Sequence, residues 1–458
     1  MAKVRTVFLC TECGGAAHRW QGQCPHCEAW NSLVEERVRP APKSERLGRA
    51  AGGAEEARAV SLASVEGVDR PRWSTGLEDL DFVLGGGVVP GSMVLLGGAP
   101  GIGKSTLLLQ VSARLAATGH RVLYVSGEES AYQVKLRADR LPEPTDEVLM
   151  LPETSAEAII EKIENLEPDV LVLDSIQTMY TDRLDGAPGS VAQVREVAAA
   201  LQRVAKRREM ATFIVGHVTK EGGIAGPKTL EHIVDVVLYF ESPTGLDHRI
   251  VRGTKNRFGA ADEIALFRMG AAGLEPVANP SALFLQGRED AGASGSAVVA
   301  TLEGTRPVLV EVQALVNRSV YGSPQRVATG FDGRRLALLL AVLERRARLK
   351  TSDLDVFLNV VGGLRLAEPA ADLGVVAAVA SAIKDRSLDR DAVFVGEVGL
   401  GGEIRPVSQL ERRLNEAGRL GFSSAYLARG GGGGGRPGSA VALRRVADVR
   451  RLVDELFG

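Results

Sequence analysis

The pattern that most constrains the fold is Gly-x-x-x-x-Gly-Lys-Ser, at residues 98–105. An apolar run precedes it and a helical pattern follows it, as in the strand–loop–helix unit that cradles phosphates. The glycines let backbone N–H groups converge on phosphate oxygens, and the amino end of the next helix favours negative charge. The alternative is a glycine-rich turn without a ligand. We predict that a nucleoside triphosphate binds through Gly98, Ala99, Pro100, Gly101, Ile102, Gly103, Lys104, Ser105 and Thr106.

Two residues of this loop carry chemistry. Lys104 is expected to reach the β- and γ-phosphate oxygens, and the Ser105 hydroxyl is expected to take a position on Mg²⁺. Short β-branched runs alternate with helical stretches over residues 62–276, which predicts an α/β fold with a parallel central sheet. Strands are predicted over 94–96, 122–125, 170–173, 212–215 and 236–240, and helices over 105–118 and 191–208.

Three domains and a linker are predicted. Residues 1–35 hold the cysteines, 36–60 form a flexible linker, 61–278 form the nucleotide-binding domain, and 279–458 form a third domain. The last has strands over 308–312 and 392–395 and Ala/Leu-rich helices over 336–345 and 374–385, which indicates an α+β domain. The glycine run 430–435 is expected to be an exposed loop.

The charge balance excludes a broadly basic chain. The 458 residues carry a formal net charge of −2, so any nucleic-acid contact must come from local patches. No apolar run is long enough to cross a bilayer, and the amino terminus lacks the apolar core of a secretory signal. We therefore expect a cytoplasmic protein that does not enter a membrane.

All 4 cysteines lie near the amino terminus, in the pairs Cys10/Cys13 and Cys24/Cys27. Two such knuckles can bring four thiolates around one Zn²⁺, and metal binding would supply most of the folding free energy of so small a module. The alternatives are a redox-active dithiol pair, or a ligand set in which His18 or His26 replaces a cysteine. Two tryptophans nearby are expected either to pack the ribbon or to stack on a partner, and these are Trp20 and Trp30.

Polar residues follow the predicted strands. Asp174 ends the strand 170–173, where a carboxylate can hold Mg²⁺. Glu128 and Glu129 follow the strand 122–125, which we expect to lie beside the phosphate-loop strand. One of them is expected to orient or deprotonate the attacking water, the alternative being a pair that caps a helix. His217 ends the strand 212–215 and is either a sensor of the γ-phosphate or a buried histidine.

The loop after His217 is glycine-rich and contains Lys220 and Lys228. A flexible, basic segment next to a nucleotide sensor can grip a polyanion in one nucleotide state and release it in another. These two lysines are therefore candidate contacts to a polyanion, which the family resemblance given next implies to be DNA.

Together, several segments resemble the bacterial RadA (Sms) family of DNA repair ATPases, relatives of the RecA recombinase. The resemblance covers nearly the whole chain and rests on the four-cysteine ribbon, the phosphate loop, and the segments 74–76, 84–87, 127–130, 174–177, 216–220 and 255–259. It implies a RecA-like core, ATP with Mg²⁺ and Zn²⁺ as cofactors, single-stranded and branched DNA as partners, and a homohexameric ring. It also makes a recombinase or replication protein the candidate partner of the zinc ribbon.

The last of these segments, Lys255-Asn256-Arg257-Phe258-Gly259, is the signature of the family. In RecA-like rings a basic residue of one subunit reaches the γ-phosphate of its neighbour. The resemblance therefore implies that Lys255 and Arg257 act in trans, and the alternative is a charged turn between strands.

The carboxy-terminal section resembles the proteolytic domain of Lon proteases, at residues 368–371 and 396–404. Lon enzymes use a serine nucleophile and a lysine, and the matching positions here are Ala370 and Arg413. Alanine has no nucleophile and arginine does not lose its proton near neutral pH, so we expect no protease activity. The resemblance implies a scaffold for oligomerisation and DNA contact. Basic residues available for this are Arg334, Arg335, Arg345, Arg346, Arg348 and Lys350, although 345–350 also reads as a solvated helix end.

Four functions are consistent with these features. The favoured one is a ring-shaped, DNA-dependent ATPase that translocates on DNA or unwinds it during recombinational repair. The second is a RecA-like DNA-binding protein that ATP switches without unwinding. An ATP-dependent protease is disfavoured by Ala370, and the zinc ribbon has no place in a RecA-like autokinase.

Overall fold

The computed structural model describes residues 5–10, 16–26, 28–38, 71–217, 228–242, 248–277, 279–285, 293–319, 323–430 and 441–458. Several predictions lie outside these residues, namely those for Cys13, Cys27, Lys220, the linker over 39–60 and the glycines 431–435; only the backbone of Lys228 is described. The chain folds into two units. One contains Met1–Ser242 and Asp247–Pro276, and the other contains Pro243–Leu246 and Val277–Gly458.

The amino-terminal residues form a small antiparallel sheet of three strands in the order β2-β1-β3. These strands are β1 (Arg5–Cys10), β2 (Ala16–Ala17) and β3 (Leu33–Val38). Among the described side chains of this region, the buried hydrophobic ones are Cys10, Ala17, Cys24 and Leu33, with Phe8 packed against them. An apolar cluster of this size would not stabilise a fold alone, which is consistent with the expected contribution from a metal.

A nine-stranded sheet forms the centre of the first unit, in the order β12-β11-β10-β9-β4-β8-β7-β5-β6. Its strands are β4 (Met93–Gly98), β5 (Val122–Ser126), β6 (Leu149–Pro152), β7 (Val170–Asp174), β8 (Ala211–His217), β9 (Val236–Glu241), β10 (His248–Asn256), β11 (Ile264–Gly270) and β12 (Gly273–Pro276). The six strands from β9 to β6 in that order are parallel, and the remaining three continue antiparallel. The predicted parallel sheet is therefore confirmed.

Helices cover both faces of this sheet. They are α1 (Glu78–Val83), α2 (Lys104–Ala117), α3 (Ala131–Ala138), α4 (Ala156–Leu166), α5 (Val191–Arg208) and α6 (Lys228–Ile233). Alternate strand residues join different clusters: Val94 and Leu96 pack on the α2 side, whereas Met93 and Leu95 pack on the α4 and α5 side. A strand buried on both faces needs a continuous apolar sequence, which explains the runs seen in the sequence.

The expected position of β5 was wrong. It pairs with β6 and β7, and two strands, β7 and β8, separate it from β4. Alternation of strands and helices predicts parallel pairing but does not determine the order of strands in the sheet. All four strands still point the same way, so their carboxyl ends meet at one edge.

The second unit is an α+β domain with a mixed seven-stranded sheet in the order β15-β16-β14-β13-β17-β20-β21. Its strands, with a small separate pair (β18 and β19), are β13 (Ser296–Glu303), β14 (Arg306–Arg318), β15 (Arg326–Thr329), β16 (Leu354–Val360), β17 (Ala392–Val395), β18 (Glu397–Val398), β19 (Ile404–Arg405), β20 (Ser424–Ala428) and β21 (Ala442–Val446). Its helices are α7 (Pro280–Phe284), α8 (Gly333–Arg346), α9 (Asp372–Lys384), α10 (Leu410–Arg419) and α11 (Val449–Phe457). Helix α9 is buried along most of its length, and a Cβ at Gly374 would overlap Val299 of β13. Glycine at that position therefore allows the helix to lie directly on the sheet.

Candidate nucleotide-binding and hydrolysis site

The phosphate loop runs from the end of β4 to the start of α2. Gly103, the residue before the helix, has φ 115° and Gly101 has φ 73°. A side chain at Gly103 would be strained by this φ and would approach Met269 Cε to 2.5 Å. Backbone N–H groups of the first helical turn lack partners within the helix, so the sequence builds an anion site here.

Lys104 is the first residue of α2, and its side chain returns over the loop. Nζ donates to the carbonyl oxygens of Gly98 at 2.8 Å and Ala99 at 2.9 Å. Burial lowers the pKa of Lys104, and the nearby carboxylates of Asp174 and Glu128 partly oppose that effect. The ammonium is thus held in place by backbone oxygens before any phosphate arrives.

His217 lies between Lys104 and Glu128. Its Nδ1 is 3.3 Å from Lys104 Nζ, and its Nε2 is 3.2 Å from Glu128 Oε1. An ammonium group only donates hydrogen bonds, so Nδ1 accepts and the proton sits on Nε2, which donates to the carboxylate. This histidine therefore bridges the phosphate-loop lysine and a candidate catalytic carboxylate.

The two adjacent glutamates have different partners. Glu128 accepts a hydrogen bond from Ser175 Oγ at 2.5 Å and faces His217, whereas Glu129 forms an ion pair with Arg137 of α3. Partial burial raises the pKa of Glu128, but the hydrogen bonds from Ser175 and His217 outweigh it and hold this pKa below its ordinary value. Glu128 is thus ionised at neutral pH and free to accept a proton from water on its exposed side.

A cavity of about 320 Å³ joins these groups. Its lining consists of Pro100, Gly101, Gly103, Lys104, Ser105, Thr106, Ser126, Glu128, Glu129, Arg137, Asp174 and His217. Asp174 is only 7% exposed and lines the same cavity as Ser105. Hydroxyl and carboxylate oxygens are the ligands that Mg²⁺ prefers, so the residues present fit the predicted metal.

Four residues in or beside the site were not predicted from the sequence: Tyr124, Ser126, Arg137 and Ser175. The Tyr124 hydroxyl donates to Asp174 Oδ2 at 2.6 Å, and burial together with Asp174 raises the pKa of this phenol well above its ordinary value. Arg137 is placed by α3, which begins with a capping box between Ser130 and Gln133. The Ser-x-x-Gln pattern was a usable signal for that helix, but nothing local indicated which carboxylate the arginine would meet.

Lys255 and Arg257 do not belong to the described lining of this cavity. Lys255 Nζ donates to the carbonyl oxygens of Glu231 at 2.5 Å and Val234 at 2.7 Å, at the carboxyl end of α6. Arg257 Nη1 lies 3.0 Å from Asp235 Oδ1, and 51% of the Arg257 side chain is exposed. Burial and the neighbouring Arg257 lower the pKa of Lys255.

In the amino-terminal ribbon, the described half of the cysteine set consists of two buried residues, Cys10 and Cys24. Cys24 Sγ accepts a hydrogen bond from the amide of His26 at 3.4 Å, a contact that also suits a metal-bound thiolate. The Cys10 thiol donates to Ser32 Oγ at 3.2 Å and would lose this hydrogen bond on becoming a thiolate ligand. Cys13 and Cys27 lie outside the described residues, so the complete ligand set stays a prediction.

In the second unit, Arg413 is completely buried and forms an ion pair with Glu368. Arg413 Nη1 also donates to Ala300 O at 2.8 Å. Ala370, two residues after Glu368 in the chain, is buried. Of the basic residues considered for DNA contact, Arg335 is paired with the buried carboxylate of Asp372 and thus supports the fold. In the part of the chain that the structure describes, no helix combines the length and apolarity needed to span a bilayer.

The phosphate loop follows β4, and the candidate carboxylates lie at the ends of β5 and β7 in the same parallel sheet. One strand, β8, lies between β4 and β7. This arrangement defines a RecA-like P-loop ATPase. Residues 73–223 match a family model described as "AAA domain". A second model, described as "Rubredoxin metal binding domain", matches residues 8–35 and supports a zinc ribbon.

The most informative relatives are full-length. "DNA repair protein RadA" of Halalkalibacterium halodurans is 49% identical over 458 residues, and that of Bacillus subtilis is 47% identical over 458 residues, each with 100% of both chains covered. The corresponding protein of Pseudomonas aeruginosa is 51% identical over 462 residues, again with 100% of both chains covered. The chain therefore belongs to the RadA family of DNA repair proteins.

Among solved structures, the KaiC-like protein PH0186 of Pyrococcus horikoshii is similar. It is 21% identical with a TM-score of 0.39, and the match covers 45% of this chain and 99% of that chain.

Proposed function

We propose that the protein is a DNA-dependent ATPase of recombinational repair that works as a homohexameric ring, translocating on single-stranded DNA and processing branched intermediates. The observation that carries the proposal is the bridge from Lys104 through His217 to Glu128. His217 is the last residue before the segment 218–227, which contains Lys220 and leads to Lys228. A bound γ-phosphate that attracts Lys104 would break the contact between Lys104 and His217. Because His217 immediately precedes the segment 218–227, the position of that segment would then depend on the bound nucleotide.

In the hydrolysis step, Glu128 is the residue we assign to activate water. Its carboxylate is partly exposed in the cavity, is fixed by Ser175 and His217, and remains ionised. Lys104 supplies positive charge to the phosphate oxygens. Ser105 and Asp174 are the proposed ligands of Mg²⁺, which neutralises phosphate charge when bound. Glu129, held by Arg137, is assigned to support rather than to proton transfer.

Communication between subunits is assigned to Lys255 and Arg257. Both side chains contact α6 or the residues that follow it, and both lie at the carboxyl end of β10, away from the lining of their own cavity. A neighbour's γ-phosphate that attracts them would release the carboxyl end of α6, and α6 directly follows the candidate DNA-contacting segment. Hydrolysis in one subunit is in this way coupled to DNA contacts in the next.

We propose that the ribbon extends through β3 to Val38, that the linker follows it up to residue 60, and that the ATPase domain and the Lon-like domain cover 61–278 and 279–458; the ribbon end predicted at residue 35 was three residues too early. The ribbon is assigned one Zn²⁺ and a recombinase or replication partner. The Lon-like domain is assigned a scaffold role without peptide hydrolysis. The absence of peptide hydrolysis is supported by the pair Arg413–Glu368, because a buried, fully paired guanidinium stands where Lon proteases have a lysine base.

The test is ATP turnover with and without single-stranded DNA, combined with unwinding of a labelled forked duplex and a Lys104→Ala control. Stimulation together with ATP-dependent strand separation supports the motor. Stimulation without separation supports the second candidate, an ATP-switched DNA-binding protein. If DNA changes neither turnover nor binding, the proposed role in DNA translocation is wrong.

A further inference from the structure

Tyr124 places a hydroxyl group inside an apolar strand. Its neighbours in β5 are Val122, Leu123 and Val125, and Tyr124 itself is 1% exposed within the apolar cluster on the α2 side of the sheet. Packing alone would be satisfied by a phenylalanine, whereas a buried hydroxyl without a partner is unfavourable. The hydroxyl of Tyr124 therefore marks a specific partner rather than a need for volume.

That partner is Asp174, whose Oδ2 accepts the hydroxyl proton at 2.6 Å. The register of the sheet produces this contact. Tyr124 pairs with Val172 and Ser126 pairs with Asp174 on the neighbouring strand β7, so the tyrosine lies one pleat below the carboxylate on the same face. The contact joins residues 50 positions apart and fixes one oxygen of the carboxylate.

We propose that Tyr124 is a positioning residue for the metal site: its hydroxyl holds Asp174 in the rotamer that presents the carboxylate to Mg²⁺ beside Ser105. This inference rests on the proposed role of Asp174 as a metal ligand. A phenol is a neutral donor near pH 7, so it orients the carboxylate without cancelling the charge that attracts the cation. A lysine or arginine in the same place would orient Asp174 and also compete with the metal.

The environment of Arg137 also bears on this assignment. Arg137 lines the same cavity and forms an ion pair with Glu129, and its guanidinium is also a hydrogen-bond partner of the Tyr124 hydroxyl. The hydrogen bond to Asp174 Oδ2 comes from the neutral phenol. The Tyr124 hydroxyl therefore contacts both the guanidinium of Arg137 and the carboxylate of Asp174, which supports a role in positioning.

The experiment measures binding of Mn²⁺, as a paramagnetic substitute for Mg²⁺, to the full-length protein with a non-hydrolysable ATP analogue, by electron paramagnetic resonance. For Tyr124→Phe we expect Mn²⁺ affinity to fall about tenfold or more, the typical effect of removing a group that orients a metal ligand. Binding of the same analogue in EDTA should be unchanged, because no metal is then involved.

Tyr239→Phe is the matched control. Tyr239 also donates its hydroxyl to a carboxylate, Glu231 Oε1 at 2.8 Å, but it is not among the described residues that line the cavity. This variant loses the same kind of hydrogen bond and should keep the Mn²⁺ affinity of the unmodified protein. Thermal unfolding of both variants without nucleotide measures the loss of stability separately from the loss of metal.

The variant Asp174→Asn separates failure of this inference from failure of the proposed site. If Asp174→Asn leaves Mn²⁺ affinity unchanged, Asp174 is not the ligand and both assignments are overturned. If Asp174→Asn weakens Mn²⁺ binding and a folded Tyr124→Phe does not, the role of Tyr124 alone is overturned. In the double variant, Tyr124→Phe should add nothing to Asp174→Asn, because the tyrosine acts through that carboxylate.

Should Tyr124→Phe fail to fold, 3-fluorotyrosine introduced at position 124 keeps the ring and the hydroxyl while strengthening its hydrogen-bond donation. A changed Mn²⁺ affinity then supports the assignment, and an unchanged one overturns it.

Discussion

Glu128 and Glu129 are consecutive in the chain, yet their carboxylates bind opposite kinds of partner. Glu128 accepts hydrogen bonds from the neutral donors Ser175 and His217, whereas Glu129 is paired with the guanidinium of Arg137. A general base must be ionised and must have an oxygen that water can reach. We assign this role to Glu128, because both of its hydrogen bonds fall on Oε1 and leave Oε2 for water. The sequence did not show which of the two glutamates activates water, and these contacts favour Glu128.

Glu128→Gln should lower ATP turnover by about 10²- to 10⁴-fold while ATP binding persists, since the amide keeps the shape but cannot accept a proton. Single-turnover hydrolysis and binding of a fluorescent nucleotide measure the two effects. Glu129→Gln is the control at the neighbouring position and should retain much more activity. A larger loss of turnover in Glu129→Gln would reverse the assignment.

Arg257→Ala should abolish most hydrolysis, by about 10³- to 10⁵-fold as for other residues that act on a neighbour's phosphate, with ATP binding kept. Because Arg257 also pairs with Asp235, the variant Asp235→Asn is measured alongside to isolate the loss of that ion pair. Mixing Arg257→Ala with Lys104→Ala chains gives the decisive measurement. In a mixed assembly, the phosphate loop of an Arg257→Ala chain can lie beside the Arg257 of a Lys104→Ala chain, and this combination should restore turnover. A lack of restoration would contradict action in trans.

Arg413→Ala should destabilise the second unit by about 3–5 kcal/mol, because it leaves the carboxylate of Glu368 without its buried partner. Urea unfolding of the full-length protein measures this loss. Arg412→Ala is the matched control, since Arg412 is the exposed neighbour in α10 and its removal should change the free energy of unfolding by less than about 0.5 kcal/mol. Equal effects of the two variants would contradict the structural role of Arg413.

Zinc content should be one ion per chain, and Cys10→Ser or Cys24→Ser should abolish it. Both side chains belong to the small buried core of the ribbon, so these variants should also lose its fold. His18→Ala and His26→Ala should keep the metal. Loss of zinc from either histidine variant would favour the ligand set in which a histidine replaces a cysteine.

The phosphate loop and the strands around it could be predicted from the sequence because their signals are local. Gly-x-x-x-x-Gly-Lys-Ser spans eight residues, and each buried strand is a short apolar run. Strand order was not predictable in the same way, and β5 was expected next to β4. Which strand inserts between two others depends on packing between residues far apart in the chain.

The partners of Tyr124 and Arg413 were missed for a related reason. Tyr124 in β5 reads as an ordinary aromatic strand residue, and its partner Asp174 is 50 positions away. Arg413 was matched by spacing to a lysine of Lon proteases, which indicated that the base was lost, but it gave no sign that Glu368, 45 positions earlier, would bind the guanidinium. Long-range polar pairs of this kind follow from the fold and cannot be read from periodicity.

The strand order also has a consequence for synthesis of the protein. The cavity takes Lys104 from the segment after β4, Glu128 from the segment after β5, Asp174 from β7 and His217 from β8, and β8 lies between β4 and β7. A growing chain that has left the ribosome only as far as β7 lacks the strand that joins the two halves of the site. The complete site therefore exists only after residue 217 has emerged, and we expect ATP to stabilise the finished sheet rather than earlier, incomplete forms.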